Sequence, residues 1–116
     1  KMLENLIDLF GKGEELRDHV FINDLVKIIE KIVYGNFKGI FNIASGKIIS
    51  FHKIANVIRD SINKKINLSY NPRIGPMPHK GYRAFNISKL SKVLNIYHTE
   101  KITKKFFKKL IKDYRI

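Results

Sequence analysis

The chain has 116 residues, 44% hydrophobic and 28% charged, a balance that fits one folded domain and excludes a disordered one. It has no cysteine, which excludes disulfides, thiolate chemistry and cysteine-based zinc sites. The formal charge of +13 favours anionic partners such as nucleic acid or a phosphorylated metabolite, although the lysines are scattered, mostly on the polar sides of helices.

Ile7-Asp8-Leu9-Phe10 reads as a short strand, and Gly11-Lys12-Gly13 as the turn that closes it. Glu14 to Ile22 reads as extended, most strand-like at Val20-Phe21-Ile22. A helix follows, with Asp24 as its N-cap or Asn23 sharing that role. Its apolar face is Leu25, Ile28, Ile29, Ile32 and Val33, and Gly35-Asn36 ends it. Gly39 to Ala44 is the next predicted strand, closed by Ser45-Gly46. Ser50 is placed to cap a second helix with Phe51, Ile54, Ala55, Ile58 and Ile62 on one face. Ile66 to Tyr70 alternates as a strand does.

Residues 71–82 hold three prolines and two glycines and predict a loop of the irregular kind that often holds function. Arg83 to Asn86 reads as a short extended piece, and Ser88 as the cap of a short helix through Leu94. The last helix is predicted from about Glu100 to Tyr114, with Ile102, Phe106, Phe107, Leu110, Ile111 and Tyr114 inward and six lysines elsewhere. Strands separated by amphipathic helices predict a small α/β layer arrangement in one domain, residues 1–116. No apolar run approaches the roughly 20 residues of a membrane span, and the start is no signal peptide, because Glu4 and Asp8 interrupt it. A cytoplasmic protein is expected, and a chain that begins with Lys before Met reads as a piece of something longer.

Three stretches carry a family resemblance. The first is Gly11-Lys12-Gly13, then Arg17-Asp18, then His19-Val20-Phe21-Ile22 running to Asp24. The second is Gly39-Ile40-Phe41-Asn42-Ile43-Ala44-Ser45-Gly46, and the third runs from Pro78 to Lys89 and on to Leu94-Asn95-Ile96-Tyr97. In order and spacing these resemble the extended short-chain dehydrogenases/reductases, the NAD-dependent nucleotide-sugar epimerases and dehydratases. In the third stretch Asn86 stands where the family has Asp, and Asn95 where it has Gly.

The resemblance implies a small mixed-sheet, C-terminal substrate-binding part of that fold, without its Rossmann domain. It implies that Arg17 and Arg83 grip the diphosphate of a UDP-, dTDP-, CDP- or GDP-linked sugar, with Arg73 as a rival for the second role. A guanidinium suits such a ligand because it is planar, permanently charged and offers a fork of donors. The alternatives are an ion pair of Arg17 with Asp18 or Glu15, and a plain surface place for Arg83. Asn42 is either a cleft residue or a structural hydrogen-bond donor. Asp24 is expected to be structural, also joining a link between domains, and Gly11, Gly13 and Gly46 to be turn residues. His19 replaces an aromatic residue of the family motif and reads as packing.

The four histidines show no metal-ligand spacing. The family's Gly-x-x-Gly-x-x-Gly cofactor turn has no counterpart here, and Tyr34-x-x-x-Lys38 and Tyr97-x-x-x-Lys101 match its catalytic pair only by chance of spacing. No catalytic residue, metal or cofactor is therefore expected in this chain. NAD or NADP is expected in an upstream Rossmann domain as partner, and a homodimer is possible. The alternatives are a basic nucleic-acid-binding module, through Lys104, Lys105, Lys108, Lys109 and Lys112, and a peripheral membrane module built on the same helix.

Overall fold

A computed structural model describes residues 5–62, 64–95 and 99–114. Strand β1, Leu6–Phe10, pairs in parallel with β4, Asn67–Asn71, in the register Leu6 to Asn67 through Phe10 to Asn71. A parallel pair needs a long crossover, and the chain between the two strands supplies it. A second sheet has three short strands: β2, Leu16–Asp18, β3, Ile48–Ser50, and β5, Tyr82–Arg83, in the order β3-β2-β5. Among the described residues four α-helices complete the fold: α1, Ile22–Tyr34, α2, Phe51–Ser61, α3, Ser88–Val93, and α4, Lys104–Tyr114. The fold is mixed α/β, as expected.

The chain divides into two compact units. The first comprises Lys1–Leu16, Ile49–Tyr82 and Lys101–Ile116. In it α2 touches both β1 and α4, and Leu9 and Ala55 are buried. Ser50 caps α2 as predicted, its Oγ accepting from the Lys53 N–H at 3.1 Å. Thr103 caps α4 in the same way, accepting from the Phe106 N–H at 3.2 Å, so the helix starts four residues after Glu100. Gly13 has φ +66, and a Cβ there would lie 2.9 Å from the His52 amide nitrogen. Only glycine meets both demands at that turn.

The second unit comprises Arg17–Ile48 and Arg83–Glu100. Its core is Ile28 of α1 with Leu90 and Leu94, and Ile32, Phe41, Ile43 and Val93 pack against them. Five expectations are corrected in this unit. Helix α1 starts at Ile22, so Val20-Phe21-Ile22 is no strand, and the strand falls at Leu16–Asp18 instead. Phe21 takes the N-cap position without a side-chain bond, and Asp24 lies inside the first turn. Ser88 does not cap α3; Asn86 Oδ1 accepts the Ser88 N–H at 2.9 Å. Residues 39–44 join no strand. Their alternation is real, since Phe41 and Ile43 face the core while Ile40 and Asn42 are exposed, but alternation reports burial and not ladder pairing. Ile29 and Val33, expected inward on α1, are exposed. The αL residue that ends α1 is Asn36, φ 52, rather than Gly35.

Candidate functional site

Arg17 and Arg83 belong to the second unit and lie on β2 and β5, which are neighbours in one sheet. Arg17 is half-buried and Arg83 is exposed, with its guanidinium carbon 5.4 Å from the centre of the Phe85 ring. That stacking holds a guanidinium flat while leaving its edge donors available.

Asp18 follows Arg17 on the strand. Its Oδ1 accepts from the Ser45 N–H at 2.7 Å and its Oδ2 from the Gly46 N–H at 2.8 Å. Two consecutive amides converging on one carboxylate form a small anion nest, closed by a residue 27 positions away. Gly46 has φ +74 there, and a Cβ would meet Ile87 Cδ1 at 2.6 Å. Successive side chains of a strand point to opposite faces, so the bonds of Asp18 commit Arg17 to the other face of β2. The sequence reading passed over this role of Asp18, because nothing in one sequence links positions 18 and 45.

Asn42 Nδ2 donates to the Asn86 carbonyl at 3.1 Å. Both residues line an open pocket of about 580 Å³ with Ser88, Lys89, Lys92 and Val93. Lys89 is turned to its own unit, donating to the Ile40 carbonyl at 2.8 Å and lying 4.9 Å from the centre of the Phe41 ring. Asn86 thus serves twice, by its carbonyl to Asn42 and by its side chain to the start of α3. Asp24 is buried, and its Oδ2 accepts the Glu100 N–H at 2.7 Å. That bond ties α1 to a residue 76 positions on, within the same unit.

Arg73 belongs to the first unit. Its guanidinium pairs with Glu15, both side chains being largely buried, and it donates to the Phe10 carbonyl at 3.3 Å. The loop around it includes a 3-10 turn, Pro78–Gly81, in which His79 and Lys80 both take left-handed φ, 51 and 53. Non-glycine residues adopt that region at a cost of about 1–3 kcal/mol each. His19 is half-buried; burial holds its imidazole below the ordinary value of 6.5, opposed by the charge of Asp18 and aided by that of Arg17.

The residues present do not fit a nicotinamide cofactor. A pyrophosphate is bound where a strand runs through a glycine-rich turn into a helix. Here β3 enters α2 directly through Ser50, and Gly11 and Gly13 join β1 to β2. Tyr34 and Lys38 are exposed at and beyond the end of α1. Tyr97 of the other spacing match, with Ile96 of the third motif stretch and His98, lies outside the described residues. Among the described residues no three His, Asp or Glu side chains gather to hold a metal ion, and no helix is long and apolar enough to cross a membrane.

No protein-family model matches the chain. Individual relatives do. UDP-glucuronic acid decarboxylase 2 of Arabidopsis thaliana is 24% identical over 94% of this chain and 24% of its own length. The dTDP-4-dehydro-6-deoxyglucose reductase of Escherichia coli is 35% identical over 59% of this chain and 22% of its own. The ADP-L-glycero-D-manno-heptose-6-epimerase of Fusobacterium nucleatum is 28% identical over 98% of this chain and 36% of its own. The chain therefore spans about a fifth to just over a third of the curated relatives it matches.

Among solved structures, a UDP-N-acetylglucosamine 4-epimerase from Methanobrevibacter ruminantium M1 in complex with UDP-N-acetylmuramic acid aligns with a TM-score of 0.75. It is 21% identical, over 93% of this chain and 34% of its own. MoeE5 in complex with UDP-glucose and NAD aligns with a TM-score of 0.73 at 18% identity, over 95% of this chain and 36% of its own. The structures share the fold, and over that common stretch the chain is similar in sequence to nucleotide-sugar epimerases, decarboxylases and reductases, as the motif order of the extended short-chain dehydrogenases/reductases implies.

Proposed function

We propose that this chain is the C-terminal, substrate-binding portion of an NAD(P)-dependent nucleotide-sugar enzyme, and that it holds the diphosphate of a UDP-, dTDP-, CDP- or GDP-linked sugar. Arg17 and Arg83 are the gripping residues. The observation that carries the reading is their placement on adjacent strands of one sheet, with the strand of Arg17 anchored through Asp18. Two guanidiniums offer two planar forks to two phosphates, and charge-assisted bonds of this kind are about twice as strong as neutral ones. The ligands named for the two similar structures, UDP-N-acetylmuramic acid and UDP-glucose, have the chemistry that such a pair recognises.

Asn42 and Asn86 line an open pocket of the same unit, with Asn42 as a candidate contact for the ligand's uncharged part. Arg73 is assigned to structure, because it pairs with Glu15 and donates to the Phe10 carbonyl within its own unit. The hydride chemistry resides outside these residues, in an upstream Rossmann domain, and the chain alone is inactive.

UDP-glucose titrated into the isotope-labelled chain tests the reading by amide shifts. Binding is expected to perturb residues around Arg17 and Arg83. Arg17→Ala is expected to weaken it by about 10- to 100-fold, since a hydrogen bond to a charged group is worth about 1.5–3 kcal/mol and 1.4 kcal/mol is tenfold. Arg83→Ala acts in the same direction. Unchanged affinity in both variants, or turnover of UDP-glucose with NAD by the chain alone, would overturn the assignment.

A further inference from the structure

Helix α1 carries two apolar stripes, and the chain's own core uses one. Ile28 and Ile32 pack with Leu90 and Leu94, and Leu25, half-buried, lies near them on the helix wheel. Ile22, Val26, Ile29 and Val33 form the other stripe and are 56, 55, 46 and 67% exposed. At about 100° per residue these four fall within about 60° of one another, and about 100° from the first stripe. Asn23, Lys27, Glu30 and Lys31 take a third arc. A surface helix with a single core needs one apolar stripe, and a second stripe implies a second apolar neighbour. The segment 39–44 repeats the pattern: Phe41 and Ile43 face the core, Ile40 is 87% exposed, and the backbone joins no strand.

We propose that the stripe Ile22, Val26, Ile29 and Val33, continued by Ile40, is the docking surface for the remaining portion of the enzyme. The inference rests on the reading above, in which this chain is one part of a nucleotide-sugar enzyme. The occupant is an apolar layer in the chain length that the relatives have and this chain lacks. Two observations select it. No charged side chain falls within the stripe, although the chain carries +13, so neither a phosphate nor a nucleic acid is the ligand of this face. The stripe is also small. Four side chains along ~16 Å of helix fall far short of the roughly 20–30 residues per partner of a stable interface between free proteins. A face of that size holds a neighbour only when the neighbour is tethered or gripped elsewhere too, as parts of one enzyme are. A second copy, held by this face alone, would dissociate.

The absence of cysteine makes the test direct, because an introduced thiol is the only one in the chain. Val26→Cys and Val33→Cys report the stripe, and Lys27→Cys reports the polar arc. Thiol-labelling rates are measured in the isolated chain, and again with the chain replacing the matching third of a cysteine-free Fusobacterium nucleatum epimerase. In the isolated chain all three are expected to label at similar rates at any concentration. In the assembled protein both stripe positions are expected to slow at least tenfold relative to Lys27→Cys. Equal rates there overturn the proposal. Slow, concentration-dependent labelling of the isolated chain also overturns it, in favour of a second copy.

A second measurement needs no chimera. Val26→Lys with Val33→Lys is expected to leave the melting temperature of the isolated chain within about 3 °C, as surface substitutions do. A larger fall would put the stripe inside the chain's own core and overturn the proposal. Loss of UDP-glucose binding in Arg17→Ala is independent of every one of these rates, so failure of the substrate reading and failure of the docking surface are separable.

Discussion

Replacing Asp18 by Asn tests how the chain aims Arg17. The carboxylate holds two amides at 2.7 and 2.8 Å, those of Ser45 and Gly46. Bonds to a charged acceptor are worth about 1.5–3 kcal/mol each, which gives a ceiling of ~6 kcal/mol for the pair. Two facts lower it. Gly46 is exposed and Ser45 half-buried, so water replaces part of what is lost, and an asparagine keeps one carbonyl oxygen for one of the two amides. About 2 kcal/mol is the expected loss for Asp18→Asn and about 3 kcal/mol for Asp18→Ala. For a chain of this size, 1 kcal/mol moves the melting temperature by about 4 °C, so the expected shifts are about 8 and 12 °C. Thermal unfolding followed by circular dichroism reads them. Gly46→Ala acts on the same turn through its φ of +74 and its contact with Ile87, so its cost and that of Asp18→Asn should fail to add by at least about 0.5 kcal/mol. UDP-glucose affinity should fall in Asp18→Asn, less than in Arg17→Ala, because the arginine remains but its strand is loosened. Shifts below 2 °C in both Asp18 variants would refute the anchoring argument, whatever the ligand does.

Arg73 and His19 allow two further tests. Arg73→Met removes the cation paired with the largely buried Glu15 and should cost about 3 kcal/mol, while leaving UDP-glucose affinity within about threefold; a large loss of affinity in a stable variant would return Arg73 to the binding site. His19 has a folded pKa below its ordinary 6.5, so the unfolded chain takes up the proton first as pH falls. Its contribution to stability is therefore complete above 6.5, declines as pH drops through that value, and levels off below the folded pKa. Melting temperatures at pH 8, 6.5 and 5 should fall in that order, and His19→Phe should fall less; an identical pH dependence in the two proteins would rule this out.

The parts of the fold legible in the sequence are those set by local chemistry. Ser50 before an amphipathic run announced α2 because a cap and a stripe lie within one stretch of chain. The turn at Gly11 and Gly13 was legible for the same reason, both residues having positive φ. What stayed hidden depends on partners far along the chain. Asp24 looked like a cap, yet its carboxylate serves residue 100; Arg73 looked like a ligand residue, yet it pairs with Glu15, 58 positions away by numbering. Residues 39–44 have the composition of a strand and lack a ladder, and the five apolar residues first read as one face of α1 divide between two stripes. Arg17 and Arg83 were named from motif order alone, and sequence could not have said that their strands are neighbours.

The two proposals bear on each other through the dielectric. Arg17 and Arg83 belong to the same unit as the α1 stripe. A unit charge pair 4 Å apart is worth about 1 kcal/mol in water and about 4 kcal/mol at an effective dielectric near 20. In the isolated chain the exposed Arg83 would meet a phosphate near the first limit, with salt screening the pair over about 8 Å. A docked layer that also covered these guanidiniums would exclude water from them and move them toward the second limit. Grip on a diphosphate and attachment of such a layer would then be coupled without any change in the arginines' own contacts. On these two proposals the isolated chain would bind at the weak, salt-sensitive end of that scale, and an assembled enzyme nearer the strong end. Arg17 and Arg83 lie on strands and the apolar stripe lies on a helix. The strands supply charge at fixed places, the helix supplies a face that only an apolar neighbour covers, and neither alone makes a dry site for a diphosphate.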